Sequence, residues 1–343
     1  MKIAYIGIDL FFPALESLDA LGCEIVEIFT CKTDNKTEFN LKIQEFAKEH
    51  NIPCQMARIT KEDITRLQEK DCHFAICGGY YFKIPWDTGF PIVNIHPSLL
   101  PVGRGSWPMP QTILKGMQTS GVTIHKIAEG FDTGDILLQK EFSLSKTETH
   151  QSFMEKAYSL IPEMMEELIQ NFDELFKNAT PQTDSEYWEA PTVQDMTVTE
   201  NMTTKEADLI LRAFFGYECI YQGSAGNYEL IRATAFEHSP ISLPLEGKGD
   251  RLRWMRCQSL PLEGKVGFAK QNSDEVSNPP DVAKGGGPLA VEGLSQPPLC
   301  KGRGTACGGG IARLSPWESC HEVTERVLPL KDGYITAEII NKL

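Results

Sequence analysis

No stretch of the chain stays apolar for the ~20 residues that a membrane-crossing helix needs, so no membrane role is expected. The opening Met1–Gly7 turns polar at Asp9, too soon for a secretory leader, and a cytoplasmic location is the expectation. No two of the ten cysteines stand in CxxC spacing, which favours reduced thiols over a disulfide framework. Cys300, Cys307, Cys320 and His321 match no zinc-ligand pattern, so no metal is expected. Positive charge is scarce: 33 Lys and Arg face 47 Asp and Glu, for a net charge of −14. That balance argues against broad electrostatic capture of nucleic acid.

What is present is a regular alternation. Lys2–Ile8, Glu24–Phe29, Phe74–Cys77 and Ile92–Ile95 are short apolar, β-prone runs. Between them lie helical spacings: Pro13, Leu15, Leu18 and Leu21 before a stop at Gly22, then Phe39, Ile43, Phe46 and Ala47. A third helix is capped by Thr60 with Asp63 three residues on. Strands alternating with helices at this period predict a mostly parallel α/β sheet with helices on both faces. The first turn, Gly7–Phe12, lacks the GxGxxG glycines of a dinucleotide site, and there is no P-loop.

Further on, Pro108–Lys115 reads as a helix, Gly121–Ile127 and Ile136–Leu144 as strands. A long helix runs from a cap at Thr149 to about Lys177, with a kink expected at Pro162. Its acidic residues, Glu155, Glu163, Glu166, Glu167 and Asp173, read as a solvated face. Domain boundaries follow: a first domain over 1–180, a linker over 181–201, and a small β-rich second domain over 202–238 plus 317–343. Residues 239–316 differ from both. They hold 13 of the 28 glycines and 9 of the 21 prolines, and Ser242–Lys248 recurs identically at Ser259–Lys265. Two clear copies are too few for a solenoid, so the stretch reads as a disordered, repeat-like insertion, a translated mobile element lodged in the second domain. It carries ten Lys/Arg and seven Asp/Glu, so without it the net charge falls from −14 to −17.

Asn94 and His96 close the run Ile92–Ile95 and share one strand face. In an α/β sheet that strand end borders the ligand crevice. The ordinary alternative is that both merely cap local backbone. Pro97-Ser98-Leu99-Leu100-Pro101 follows, then Gly103-Arg104-Gly105, and a Gly- and Asp-rich turn through Gly130-Phe131-Asp132-Thr133-Gly134. Asp132 lies 38 residues after Asn94. Together these pieces resemble the catalytic domain of the 10-formyltetrahydrofolate-dependent formyltransferases. That family includes the methionyl-tRNA, glycinamide ribonucleotide and sugar-nucleotide enzymes. Residues 1 to about 180 carry the likeness well. The second domain resembles the C-terminal domain of the methionyl-tRNA enzyme only loosely, through Ala207–Gly216 and Leu328–Ile340. Pro97 stands where several members carry Gly.

The resemblance implies a Rossmann-like sheet of the formyltransferase type and 10-formyltetrahydrofolate as formyl donor. It implies Asn94, His96 and Asp132 as the catalytic set, and Tyr81, Phe82, Ile84, Ser98, Leu99 and Leu100 around the folate. Arg104 is a candidate acceptor contact. The chemistry agrees, because formyl transfer passes through an oxyanion that an amide and an imidazole can hold, and an acid–base partner must move the amine proton. How the proton divides between His96 and Asp132 is left open.

The acceptor is a separate question. Over 198–238, Lys205, Arg212 and Arg232 face Glu200, Glu206, Asp208, Glu218, Glu229 and Glu237. Binding tRNA calls for a basic surface, so a small amine or amino sugar nucleotide is the expected acceptor. Methionyl-tRNA is the alternative, and a non-catalytic folate-binding protein a further one.

Overall fold

The computed structural model describes residues 1–35, 38–224, 226–237 and 324–342. The expected insertion, 239–316, lies outside them, as do the three late cysteines and His321.

The first sheet has seven strands. They are β1 (Lys2–Gly7), β2 (Glu24–Phe29), β3 (Cys54–Gln55), β4 (Phe74–Gly78), β5 (Ile92–His96), β6 (Thr119–Lys126) and β7 (Ile136–Ser143). Their order is β3-β2-β1-β4-β5-β6-β7. The first five run parallel, and β6 and β7 are antiparallel additions. The buried strands are nearly continuous in Ile, Val, Ala and Phe, as a sheet covered on both faces requires: β1 and β4 bury Ile3, Tyr5, Phe74 and Ile76 fully.

Helices α1 (Phe12–Ala20), α2 (Leu41–Glu49), α3 (Lys61–Glu69), α4 (Pro108–Leu114) and α5 (His150–Lys177) follow the expected segments. Gly22 ends the α1 turn at φ +75°, where a side chain would be strained. Thr60 and Asp63 form the expected capping box on α3, and Thr149 caps α5 with Ser152. Pro162 does not break α5. The backbone departs from helix at Asn171 instead (φ −128°, ψ 21°). There the Asn171 amide donates to the Glu167 carbonyl, four residues back, a side-chain bond that competes with the backbone ladder.

The second sheet is built from β8 (Thr197–Thr199), β9 (Cys219–Gly223), β10 (Gly226–Glu237), β11 (Thr324–Pro329) and β12 (Gly333–Lys342), in the order β11-β12-β10-β9-β8. Helix α6 (Thr204–Ala213) carries its own Thr203–Glu206 capping box. β11 and β12 form an antiparallel hairpin around Lys331-Asp332-Gly333. β9 was not legible, and β8 falls inside the stretch expected to be linker. Nor is the rest of that stretch free: Trp188 is buried, and its backbone N–H donates to the Arg104 carbonyl at 2.7 Å. Trp107, just before α4, packs edge-on against His150 and Phe214 and at a tilt against Tyr217. Burial holds the His150 imidazole down at about 3, so it is a neutral part of this aromatic core.

Candidate active site

β5 delivers Asn94 and His96 to the end of the parallel sheet, both facing one cleft. Its antiparallel neighbour β6 sets Asn94 opposite His125 and His96 opposite Thr123. Directly opposed residues on paired strands touch, and the Asn94 amide Nδ2 lies 3.1 Å from His125 Nε2. His125 Nδ1–H donates to the Lys126 carbonyl at 2.8 Å. The Asn94 amide carries two N–H groups, so with one toward His125 the other remains for the cleft.

Between β6 and β7 the chain turns through Asp132, whose φ of +54° is left-handed. Aspartate tolerates that region better than most residues. Gly134 closes the turn against β6, since a Cβ there would stand 1.9 Å from the Lys126 carbonyl oxygen. The turn points the Asp132 carboxylate back at the strand ends. Oδ1 lies 3.6 Å from His96 Nδ1 and 3.5 Å from His125 Nε2, and Oδ2 accepts the Gly105 N–H at 2.9 Å. His96 Nε2–H donates to the Gly103 carbonyl at 2.7 Å. That bond fixes the tautomer and leaves the Nδ1 lone pair turned toward Asp132.

The charge state follows from the surroundings. Burial alone would raise the Asp132 carboxyl. His96, His125 and the Gly105 N–H outweigh it and bring the group down to about 2. Burial pushes the His96 imidazole below its usual range, against the pull of Asp132 and the Gly103 carbonyl. Near neutral pH the site is an ionised carboxylate beside a neutral imidazole, with two acceptor atoms facing each other across 3.6 Å. Such a pair can take a proton from a nitrogen brought up to it.

Tyr81, Phe82 and Ile84 line the same cleft, beside Leu10 and Phe11. Their segment, Tyr80–Pro85, belongs to no strand or helix, so its backbone groups are not committed to a ladder. The Tyr81 hydroxyl is buried without a partner, an orphan that a heteroatom-rich ring would satisfy. A folate head group fits such a wall.

Four expected site residues are placed elsewhere. Ser98, Leu99 and Leu100 do not line the cleft. The Ser98 hydroxyl donates to the Val102 carbonyl at 2.8 Å, Leu99 packs against Gly121, and Leu100 is buried with its N–H on Thr123 Oγ1. They brace the loop that carries the Gly103 carbonyl. Arg104 is not among the residues that line the cleft either. It is 8% exposed, and its guanidinium is held by the Gln182 side chain and the Thr183 carbonyl.

Three contributors escaped the sequence. His125 needed the β5–β6 register to be seen. Gly105 contributes only a backbone N–H. Tyr187 reaches the cleft from the stretch expected to be linker, and its phenol is raised first by burial and then by Asp132. Among the described residues no group of His, Cys, Asp and Glu side chains is arranged to hold a metal, and no helix is long and apolar enough to cross a membrane.

Residues 31–169 match the formyl transferase family model. A methionyl-tRNA formyltransferase of Thermosipho africanus is 36% identical over 181 residues, covering 50% of this chain and 59% of that protein. The chain spans 49 to 61% of the first curated relatives it matches. Among solved structures, a 4-N formyltransferase from Francisella tularensis aligns with a TM-score of 0.54 at 20% identity, over 69% of this chain and 98% of that one. HypX from Aquifex aeolicus, in complex with tetrahydrofolic acid, aligns at 0.53 and 17% identity, over 68% and 38%. At such identity these two speak for the fold alone. Residues 31–169 are thus similar to formyl transferases in sequence, and the α/β region shares the fold of formyltransferase structures.

Proposed function

We propose that this protein transfers a formyl group from 10-formyltetrahydrofolate to the primary amine of a small acceptor, such as an amino sugar nucleotide. The observation that carries the reading is the convergence of Asn94, His96 and Asp132 at one end of a cleft walled by Tyr81, Phe82 and Ile84. The amine lone pair forms a bond to the formyl carbon, and the carbonyl electron pair moves to oxygen. The free Asn94 N–H holds that oxyanion. The attacking nitrogen gives up its proton to the His96 and Asp132 acceptor pair. The oxyanion then re-forms its carbonyl, the bond to the donor nitrogen breaks, and that nitrogen takes a proton back. The ionised Asp132 favours the imidazolium that forms on the way.

The small acceptor is favoured by charge. Over 197–237 and 324–342 the second module has six Lys and Arg against nine Asp and Glu, and Arg212 and Arg232 are already paired with Asp208 and Glu338. A phosphate backbone would meet a surface of its own sign. Methionyl-tRNA is the second reading, favoured by the 36% identity to an enzyme of that name. The test is release of tetrahydrofolate from 10-formyltetrahydrofolate in the presence of an aminodeoxy sugar nucleotide, glycinamide ribonucleotide or charged methionyl-tRNA. The proposal expects turnover with a small amine, lost in Asn94→Ala and His96→Ala. Turnover with methionyl-tRNA alone would reassign the acceptor, and folate binding without any turnover would remove the activity.

A further inference from the structure

The chain between α5 and β8 is pinned across the back of the site. Thr180 pairs with Ile136, just after the Asp132 turn, and the Trp188 N–H donates to the Arg104 carbonyl at 2.7 Å. Between these anchors lies Gln182, whose amide is engaged on every side. Its Oε1 accepts from Arg104 Nε at 3.1 Å and Nη2 at 2.9 Å. Its Nε2 donates to the Asp132 carbonyl at 2.9 Å and the Gly134 carbonyl at 2.6 Å. Gln182 is not among the residues that line the cleft.

These bonds close a ring. From Gln182 one arm runs to the backbone of the Asp132 turn. The other runs through the Arg104 guanidinium to the Gly103–Gly105 loop. The two arms meet again at the front, where the Gly105 N–H holds the Asp132 carboxylate and the Gly103 carbonyl holds His96. Each part of the ring is one that would shift if left alone. Asp132 sits at a positive φ, Arg104 is a buried cation, and Gly105, at φ +127°, is in close contact with the Trp188 carbonyl.

We propose that Gln182 is a positioning residue for formyl transfer, holding the Asp132 turn and the Gly103–Gly105 loop in the register that sets Asp132 against His96. The inference rests on the function proposed above and names a residue of the same site. Gln182 touches neither donor nor acceptor and acts through Asp132.

Two substitutions separate this role from a mere staple. Gln182→Met removes all four bonds at similar length. Gln182→Glu still accepts from Arg104 but cannot donate to the two carbonyls. The first readout is the titration of the Asp132 carboxylate by carbon NMR on aspartate-labelled full-length protein. Its midpoint moves up from about 2 in both variants, because the interactions that lower it are loosened while burial remains. The second readout is steady-state kinetics with the amine that supports turnover. Here kcat falls on the order of 10- to 100-fold, as small misplacements of catalytic groups do, with KM for 10-formyltetrahydrofolate within about twofold. Should Gln182→Met fail to fold, Gln182→Glu carries the test, since it keeps the Arg104 contact. A variant that is folded by circular dichroism and keeps both the wild-type titration and the wild-type kcat overturns the proposal. If the wild type transfers formyl to no amine, the proposed function fails on its own account, and the carboxylate titration still decides whether Gln182 sets the Asp132 geometry.

Discussion

Asp132→Asn isolates the charge at the centre of the site from its shape. Asparagine accepts left-handed backbone as readily as aspartate, so the φ of +54° is retained. Its side-chain oxygen can still take the Gly105 N–H. What is lost is the negative charge between His96 and His125. A carboxyl lowered from 3.8 to about 2 contributes ~2 kcal/mol to folding stability at neutral pH. The sign follows from the direction: the group is depressed in the fold, so its contribution is present above pH ~4 and is lost as pH falls through about 2. By the same linkage ~1 kcal/mol remains at pH 3. Urea unfolding followed by tryptophan fluorescence is therefore expected to show Asp132→Asn less stable by ~2 kcal/mol at pH 7, with the gap about halved at pH 3. Turnover should fall by ~10²- to 10⁴-fold, the usual worth of a positioned acid–base group. A stability gap that stays constant from pH 7 to 3 would show that the carboxylate charge is not what the site holds. A kcat within about tenfold of wild type would remove Asp132 from the proton transfer.

Other perturbations follow from the same geometry. Gly105→Ala places a Cβ 2.1 Å from the Trp188 carbonyl oxygen and leaves alanine at φ +127°; strain of ~1–3 kcal/mol should appear in urea melts together with lost turnover, and wild-type behaviour in both would refute the contact. Glu38 is buried with Oε1 unpartnered, and burial, then Asp34, push its carboxyl up to about 9. Protonated in the fold and ionised in the unfolded chain, it destabilises as pH rises from ~4.5 toward 9, by up to ~3 kcal/mol at pH 7; Glu38→Gln should flatten that decline, and an unchanged slope between pH 5 and 8 would contradict it. Deletion of 239–316 leaves eight residues between Glu237 and Thr324. Those ends lie opposite Gly333 and Ile339 of β12, ~20 Å apart along the strand direction and within the ~30 Å reach of the remaining chain. The shortened protein is expected to melt and turn over like the full one, and aggregation or inactivity would make the insertion part of the fold.

Much of this molecule is written locally. The capping boxes at Thr60 and Thr149, the Gly22 stop and the apolar strands depend on residues a few positions apart, so pattern alone recovers them. The same holds for Asn94 and His96, two residues apart on one strand, and for Asp132 in a turn rich in Gly and Asp. Short elements were harder. β8 and β9 have three and five residues, too few for a period to show, and they exist because β10 offers an edge to β9 and β9 one to β8. Pro162 obeys its local rule in losing a hydrogen-bond donor, yet packing keeps the helix through it and the break falls at Asn171. Arg104 and Ser98 looked like site residues because they sit in the right motif, but tertiary contacts turn both away from the cleft. His125, Gly105, Tyr187 and Gln182 act through strand register, a backbone N–H and a returning chain, which no short spacing encodes. The sequence by itself determined which residues could do the chemistry, because chemistry needs particular side chains. Only the tertiary structure decided their charge states and distances, because burial and long-range hydrogen bonds set both.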